Sequence, residues 1–195
     1  MNHLDPRSPT VFSTLELGRR PGSMVQISRE IELSEPVGTD VIAVPAGAPI
    51  DVELRLESVL EGVLATGSVH ATALGTCVRC LDPVSAEIDG TFQELFAYPE
   101  RAARGRKVGA TDDETQEYEV RDDLIDLEPV LVDAVVPALP FQPVCRDDCP
   151  GLCSQCGFHL AQDPSHAHEL LDPRWSALAQ LAGDADAADP TEKRN

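Results

Sequence analysis

The segment Gly62-Val-Leu-Ala-Thr-Gly-Ser-Val-His-Ala-Thr-Ala-Leu-Gly75 runs directly into Thr76-Cys77-Val-Arg-Cys80. Its small and β-branched residues favour a β-strand. Asp82-Pro83 turns the chain just after the second cysteine, and a new apolar alternation begins at Val84. We therefore predict a β-hairpin whose turn carries Cys77 and Cys80 at one edge of a sheet.

A hydrophobic period of two extends on both sides of this turn, from Met24 to Phe96. The apolar positions outside the quoted segment are Val25, Ile27, Ile31 and Leu33; then Val52, Leu54 and Leu56; then Val84, Ala86, Ile88 and Phe92. Such alternation is typical of half-buried strands. The predicted fold class is α+β: a mainly antiparallel β-sheet, either open or a partial barrel, with a few short helices and a cysteine-knuckle zinc site.

Two short helices are expected after the sheet. In the first, apolar residues recur at helical spacing between Leu124 and Val135. Asp126 is expected to cap its start and Pro137 to follow its end. The second is expected to begin at an N-cap, Asp172, and to end before Gly183.

Composition divides the chain into one domain and two tails. Residues 1–9 are polar, residues 183–195 are acidic, and both are predicted to be disordered. The domain, residues 10–182, contains a charged flexible loop at 99–123 and a Cys/His-rich metal segment at 145–168.

The chain is strongly acidic. It has 15 basic and 34 acidic residues, for a formal charge of −19. Such a surface repels a nucleic-acid backbone as a whole and attracts a basic protein at long range. A local basic cluster at Arg101, Arg104, Arg106 and Lys107 can contact RNA, although solvation of a surface loop explains it equally well.

The start of the chain lacks the features of a signal peptide, and no apolar run is long enough to cross a bilayer. We therefore expect a cytoplasmic protein without a membrane partner. In a reducing compartment, the six cysteines are expected to be metal ligands or redox groups instead of structural disulfides.

The cysteines suggest a zinc site. A Cys-x-x-Cys turn, called a knuckle below, places two sulfurs one tetrahedral edge apart, as Zn²⁺ requires. Our first choice is a single closed structural site formed by the two knuckles, with the ligands Cys77, Cys80, Cys153 and Cys156. Four protein ligands leave no open coordination position for catalysis.

A second grouping of the ligands remains open, because the spacing of the cysteines does not decide between the two groupings. In it, the first site consists of Cys77, Cys80, Cys145 and Cys149. A second site then consists of Cys153, Cys156, His166 and His168. We expect one zinc ion, and this alternative allows two.

The motifs do not support an enzyme. The spacing of Cys149, Cys153 and Cys156 matches that of iron–sulfur radical enzymes, but only about forty residues follow Cys156, too few for the barrel of ~200 residues or more that such an enzyme needs. A redox Cys-x-x-Cys would be expected in a βαβ setting, which is missing. We predict no catalytic residue and no small-molecule substrate.

Several segments occur together in an order that points to a family. They are Arg20-Pro-Gly-Ser, Cys77-Val-Arg-Cys80-Leu81, Phe92-Gln-Glu-Leu-Phe-Ala-Tyr-Pro99, Ala138-Leu-Pro-Phe-Gln-Pro143, Cys149-Pro-Gly-Leu-Cys153 and Asp172-Pro-Arg-Trp175. Over residues 10–182 the chain resembles the YceD family, the large ribosomal RNA subunit accumulation proteins, in its actinobacterial form.

The resemblance implies a bacterial cytosolic factor for the synthesis, processing or stability of large-subunit ribosomal RNA, with no catalytic residue. This chain departs from many relatives in having His166-Ala-His168 where they have Cys-x-Cys, which zinc tolerates. Some relatives lack the second knuckle, which implies that Cys145 and Cys149 are the partners of Cys77 and Cys80.

The leading functional hypothesis is a non-enzymatic factor for large-subunit biogenesis. Its acidic surface is expected to bind a basic ribosomal protein or a large-subunit assembly intermediate. The alternatives are a zinc-dependent RNA-binding protein and a thiol redox or chaperone protein. The negative charge and the 4% aromatic content disfavour direct RNA binding.

Overall fold

The computed structural model describes residues 4–100 and 118–168. By its internal contacts the chain divides into two compact units, Met1–Cys149 and Pro150–Asn195. The predicted helix at 172–183, the basic cluster at 101–107 and the acidic tail at 183–195 lie outside the described residues. The division into one domain at 10–182 and two tails stays a prediction.

The first unit is built on antiparallel β-strands. Their bounds are β1 Val11–Ser13, β2 Met24–Glu32, β3 Val37–Gly38, β4 Ile42–Val44, β5 Pro49–Ser58, β6 Gly62–Thr76, β7 Pro83–Ala97 and β8 Leu124–Asp126. The main sheet has the order β2-β5-β6-β4-β3, with β7 also paired to β6, while β1 and β8 form a small sheet of their own. The predicted mainly antiparallel β-sheet fold is confirmed, and the zinc site in that prediction stays a prediction.

Strand β6 is the centre of the main sheet. Val69 pairs with Val52 of β5 on one side and with Gly90 of β7 on the other. Further along β6, Gly75 pairs with Ile42 of β4. Because side chains alternate along each strand, buried and exposed residues alternate along β5 and along parts of β6 and β7, as the period of two predicts.

The predicted hairpin is present. Strands β6 and β7 pair along their whole length, from Gly62 with Ala97 to Thr76 with Pro83. Residues 77–82 connect them, so Cys77 and Cys80 lie in the hairpin turn. The long ladder fixes the position of these two sulfurs relative to the core.

One short helix, α1 at Glu128–Val135, packs against the main sheet. Gly90 allows the close approach, because a Cβ atom there would lie 2.6 Å from the carbonyl oxygen of Ala134. Val130, Leu131 and Val135 are buried in the core. None of the helices in the described part of the chain has the length and apolar character needed to cross a bilayer.

The start of α1 differs from the sequence expectation. Leu124–Asp126 forms β8 and pairs with β1, so the helical pattern is interrupted by a strand whose partner is distant in sequence. Asp126 nevertheless accepts a hydrogen bond from the backbone N–H of Glu128 at 3.0 Å, which satisfies a donor of the first turn. At the other end, Pro137 lies in a 3-10 turn that follows the helix, as expected.

Candidate metal centres

The first knuckle is a tight turn closed by the backbone. The N–H of Leu81 donates to the carbonyl of Cys77 at 2.9 Å, and the N–H of Cys77 donates to the carbonyl of Asp82 at 2.8 Å. Leu81 has a φ of 65°, a left-handed conformation that usually favours glycine. The turn therefore forms without the glycine that the second knuckle has.

The segment ending at Cys149 is bound to this turn by hydrogen bonds. The N–H of Val78 donates to the carbonyl of Pro143 at 2.9 Å. The Nη1 of Arg79 donates to the carbonyl oxygens of Asp147 at 3.1 Å and Cys149 at 3.0 Å. The two residues between the cysteines thus hold Cys145 and Cys149 beside the knuckle.

Four sulfurs converge as a result. The Sγ atoms of Cys80 and Cys145 are 3.6 Å apart, and those of Cys77 and Cys149 are 3.9 Å apart. A tetrahedral site with Zn–S bonds of ~2.3 Å has edges of ~3.8 Å. All four atoms lie within 4.8 Å of one another. This first cluster consists of Cys77, Cys80, Cys145 and Cys149, and its geometry fits a tetrahedral ion.

Burial shields three of the four cysteines of the first cluster from solvent. Cys77, Cys80 and Cys149 are buried, with exposed fractions of 0%, 5% and 5%, and only Cys145 is exposed. The cysteines are free thiols, and their sulfur separations are far longer than a disulfide bond.

The electrostatics of the first cluster favour a thiolate at Cys77 beside a protonated thiol at Cys80. Burial raises the pKa of Cys77, but backbone N–H groups of Cys80, Cys145 and Arg79 outweigh it and lower that pKa to about 6. For Cys80, the backbone N–H of Asp82 lowers the pKa, whereas burial and hydrogen bonds with the Asp82 carboxylate and neighbouring thiols raise it overall. A bound dication would remove this conflict, because it stabilises all four sulfurs as thiolates.

The second knuckle repeats the backbone of the first. The N–H of Gly157 donates to the carbonyl of Cys153 at 2.9 Å, and the N–H of Cys153 donates to the carbonyl of Phe158 at 2.8 Å. Gly157 has a φ of 72°, close to that of Leu81. The two turns are therefore equivalent in hydrogen bonding and in backbone conformation.

The second cluster consists of Cys153, Cys156, His166 and His168. The Sγ of Cys156 is 3.3 Å from the Nε2 of His166 and 3.2 Å from that of His168, and the two Nε2 atoms are 3.0 Å apart. Edges of ~3.5 Å between sulfur and nitrogen follow from ordinary zinc bond lengths. These four ligand atoms also lie within 4.8 Å of one another.

Local contacts support the histidines of the second cluster. The ring of Phe158 stacks on His166 with centroids 4.6 Å apart. Asp163 accepts hydrogen bonds from the N–H and hydroxyl of Ser165 at 2.9 and 2.6 Å, which form the turn before His166. Cys156 and His168 are exposed, and Cys153 and His166 are half-buried. This cluster is open to solvent.

The pKa of Cys153 is also shifted. Backbone N–H groups of Gln155 and Cys156 lower it, burial opposes them, and His166 lowers it further, to about 6. A thiolate is the form that binds a metal, so each knuckle prepares its first cysteine for coordination.

The structure favours the alternative grouping of the candidate ligands over the first choice. Cys77 and Cys80 lie with Cys145 and Cys149, and Cys153 and Cys156 lie with His166 and His168. The grouping is the alternative one, because hydrogen bonds from Val78 and Arg79 bind residues 143–149 to the first knuckle. The occupancy of either cluster by zinc stays a prediction.

Sequence reasoning missed the supporting residues. Arg79 and Asp82 orient the first cluster, and Phe158 covers one histidine of the second. The signal was faint: Arg79 stands between two cysteines, but the carbonyls it contacts are at least 68 residues away in sequence. His70, which lies on β6, is hydrogen-bonded to Asp89 and belongs to neither cluster.

The fold and its two clusters define a mainly antiparallel β-sheet protein with candidate four-ligand metal sites. A family model described as "Large ribosomal RNA subunit accumulation protein YceD" matches residues 65–182. The chain belongs to the YceD family, so the resemblance noted in the sequence is confirmed. The matched range begins in β6 and includes all eight candidate cysteine and histidine ligands.

Relatives in mycobacteria match almost the whole chain. Proteins of Mycobacterium tuberculosis and Mycobacterium bovis are 47% identical over 179 residues, covering 90% of this chain and 83% of each relative. A protein of Mycobacterium leprae is 41% identical over 174 residues, covering 89% of this chain and 78% of the relative. All three are named as uncharacterized proteins. No solved structure gives a significant match.

Proposed function

We propose that this protein is a non-enzymatic factor for large ribosomal subunit biogenesis that supports the synthesis, processing or stability of large-subunit ribosomal RNA. The observation that carries the proposal is membership of the YceD family, whose description names accumulation of that RNA. The site of action is then the cytoplasm, where bacterial subunits assemble.

The proposed cofactor is structural zinc. Tetrahedral sets of thiolates and imidazoles favour Zn²⁺, and both clusters have this composition. Each cluster offers four protein ligands, which is the coordination number of a closed structural site. Neither cluster then leaves a position for a substrate, which supports a non-enzymatic role.

The proposed partner is a basic ribosomal protein or an assembly intermediate that presents one. The formal charge of −19 supports this choice, because it attracts cationic proteins and repels exposed phosphates. We do not favour direct RNA binding, for the same reason. The basic cluster at Arg101, Arg104, Arg106 and Lys107, which offers the strongest case for RNA, lies outside the described residues.

Depletion tests the proposal most simply. Cells in which the protein is depleted are expected to contain less large-subunit ribosomal RNA relative to small-subunit RNA, measured on total RNA and on gradient-separated subunits. Expression of the intact protein from a second locus should restore the ratio. An unchanged ratio after complete depletion would remove the proposed function.

A further inference from the structure

One face of the main sheet is polar and strongly acidic. Because side chains alternate, residues on neighbouring strands that pair in register share this face, which we call the outer face. One row across it runs Glu30, Asp51, His70 and Asp89. Its acidic residues are Glu30, Glu32, Asp51, Glu53, Glu57, Glu87 and Asp89.

The cationic side chains of the outer face do not neutralise it. Arg55 lies 3.7 Å from Glu57. His70 is hydrogen-bonded through Nδ1 to Asp89 at 2.9 Å, and its Nε2 lies 3.4 Å from Glu87. Seven carboxylates therefore share this face with one arginine and one histidine. The side chains of Asp89 and Glu87 are 84% and 62% exposed, so the charge is open to a partner.

A depression lies in the middle of this face. It has a volume of about 600 Å³ and is lined by residues of β2, β5 and β6 that include Gln26, Ser28, Glu53, Arg55, Thr66 and Ser68. Glu53 pairs in register with Ser28 on one side and Ser68 on the other. Since both neighbours are short, the carboxylate of Glu53 has room around it for an incoming group.

The chemistry of the depression suits a cation. The hydroxyls of Ser28 and Ser68 can accept hydrogen bonds beside the Glu53 carboxylate. The Oγ1 of Thr66 is buried and has no hydrogen-bond partner among the described residues. A guanidinium or ammonium group offers several donors and would pair with these oxygens.

Three apolar residues border the depression. Met24, Leu64 and Leu95 lie in one row of the outer face with Glu57, at the end where β2 begins, and Met24 and Leu95 are 55% and 38% exposed. The aliphatic stem of lysine or arginine packs well on such residues while its charged end remains in water. The outer face thus offers contacts for both parts of a basic side chain.

We propose that the outer face binds an arginine- or lysine-rich polypeptide segment, with one cationic side chain in the depression beside Glu53. The inference rests on the proposed function, since it locates on the molecule the surface that holds a basic partner. An RNA ligand is disfavoured, because phosphate would approach seven carboxylates.

The test compares two sets of substitutions with the same change in net charge. The face variant combines Asp51→Asn, Glu53→Gln and Asp89→Asn. The control variant combines Glu35→Gln and Asp40→Asn, in loops beside β3, with Glu94→Gln, which alternation places on the opposite side of β7. All six residues are exposed, so both variants should fold, as circular dichroism will verify.

Binding is measured by fluorescence anisotropy on the full-length protein, with a labelled peptide in which arginine and serine alternate. The face variant is expected to bind the peptide about tenfold more weakly, because it loses carboxylates that pair directly with arginine. The control variant loses only long-range attraction, so its binding should weaken by less than about twofold. Glu53→Gln alone should account for about threefold. Raising the salt concentration should weaken all complexes.

Equal losses in the two variants would show that net charge alone attracts the peptide and would overturn the inference. An unchanged face variant, or a labelled RNA hairpin that binds more tightly than the peptide, would do the same.

Complementation separates this inference from the proposed function. If depletion lowers large-subunit RNA but the face variant restores it and binds the peptide normally, the inference fails and the function stands. If depletion has no effect on the RNA, the function fails, and the peptide comparison still decides whether the face binds cations.

Discussion

The two knuckles have the same backbone and different surroundings. Each is closed by the same pair of hydrogen bonds and has a left-handed residue after its second cysteine. The first lies in the turn of the central hairpin and is completed by two further cysteines in a buried cluster. The second is completed by two histidines and is exposed. Cysteine spacing determines the turn, whereas the long-range contacts determine the partners and the burial.

The difference has an energetic consequence. In the first cluster, Cys77 and Cys149 are 72 residues apart, so a bound ion would join distant parts of the first unit. In the second, Cys156 and His168 are 12 residues apart. Closing a long loop restricts the unfolded chain more than closing a short one. Zinc in the first cluster should therefore stabilise the fold of the first unit. Zinc in the second cluster should mainly stabilise the short segment that carries its ligands.

The largest expected effect is that of Cys149→Ser. It should remove one zinc ion and lower the free energy of unfolding by about 4 kcal/mol or more, as loss of a structural metal does. Calorimetry together with metal analysis measures both quantities.

The matched control is Cys156→Ser in the second cluster. It should also remove one ion but change the unfolding of the first unit by less than about 0.5 kcal/mol, as exposed substitutions usually do. Equal destabilisation by the two variants would contradict the difference between the clusters.

Metal release should occur in two kinetic phases. A coloured chelator is expected to remove zinc from the exposed second cluster first and from the buried first cluster later, because the chelator must contact the ion and burial limits its access. In Cys156→Ser the fast phase should be missing. A single phase, or loss of the slow phase in that variant, would contradict the assignment.

Arg79→Ala tests the contact that distinguishes the first knuckle. The guanidinium donates to two carbonyls of the segment that carries Cys149, so its loss should cost about 2 kcal/mol of stability and lower zinc affinity at the first cluster about tenfold or more. Competition with a chelator of known affinity measures the second effect. Arg55→Ala, which removes one exposed ion pair, is the control and should leave zinc binding unchanged.

Much of the fold was predictable because it depends on local patterns. The period of two and the turn residues after Cys80 are local signals, and they indicated the hairpin correctly. The strand Leu124–Asp126 was missed because its partner, β1, lies more than 100 residues away and only that pairing makes it extended. The residues of both clusters were identified from their chemistry. The sequence did not decide how these residues are grouped, because the grouping depends on the Arg79 contacts across the fold.

The smallest effects are expected from substitutions of the residue that follows the second cysteine of each knuckle. Gly157→Ala should destabilise the second knuckle by about 1 kcal/mol, because an L-residue is strained at positive φ while no atom lies within 4 Å of the added Cβ. Leu81→Gly should relieve the same strain in the first knuckle. Glycine also gives the unfolded chain more conformational freedom, which partly offsets this effect, so the stability should rise by less than about 1 kcal/mol. Chemical denaturation measures both. A gain for the alanine and a loss for the glycine would show that the turns are not equivalent.

The central claim is that the cysteines and histidines form two separate metal sites. Native mass spectrometry of the purified protein and of three paired variants tests it most directly: Cys145→Ser/Cys149→Ser, Cys153→Ser/Cys156→Ser and His166→Ala/His168→Ala. We predict two zinc ions in the unaltered protein and one in each variant. One ion in the unaltered protein, lost on changing Cys153 and Cys156 but kept on changing Cys145 and Cys149, would contradict the account.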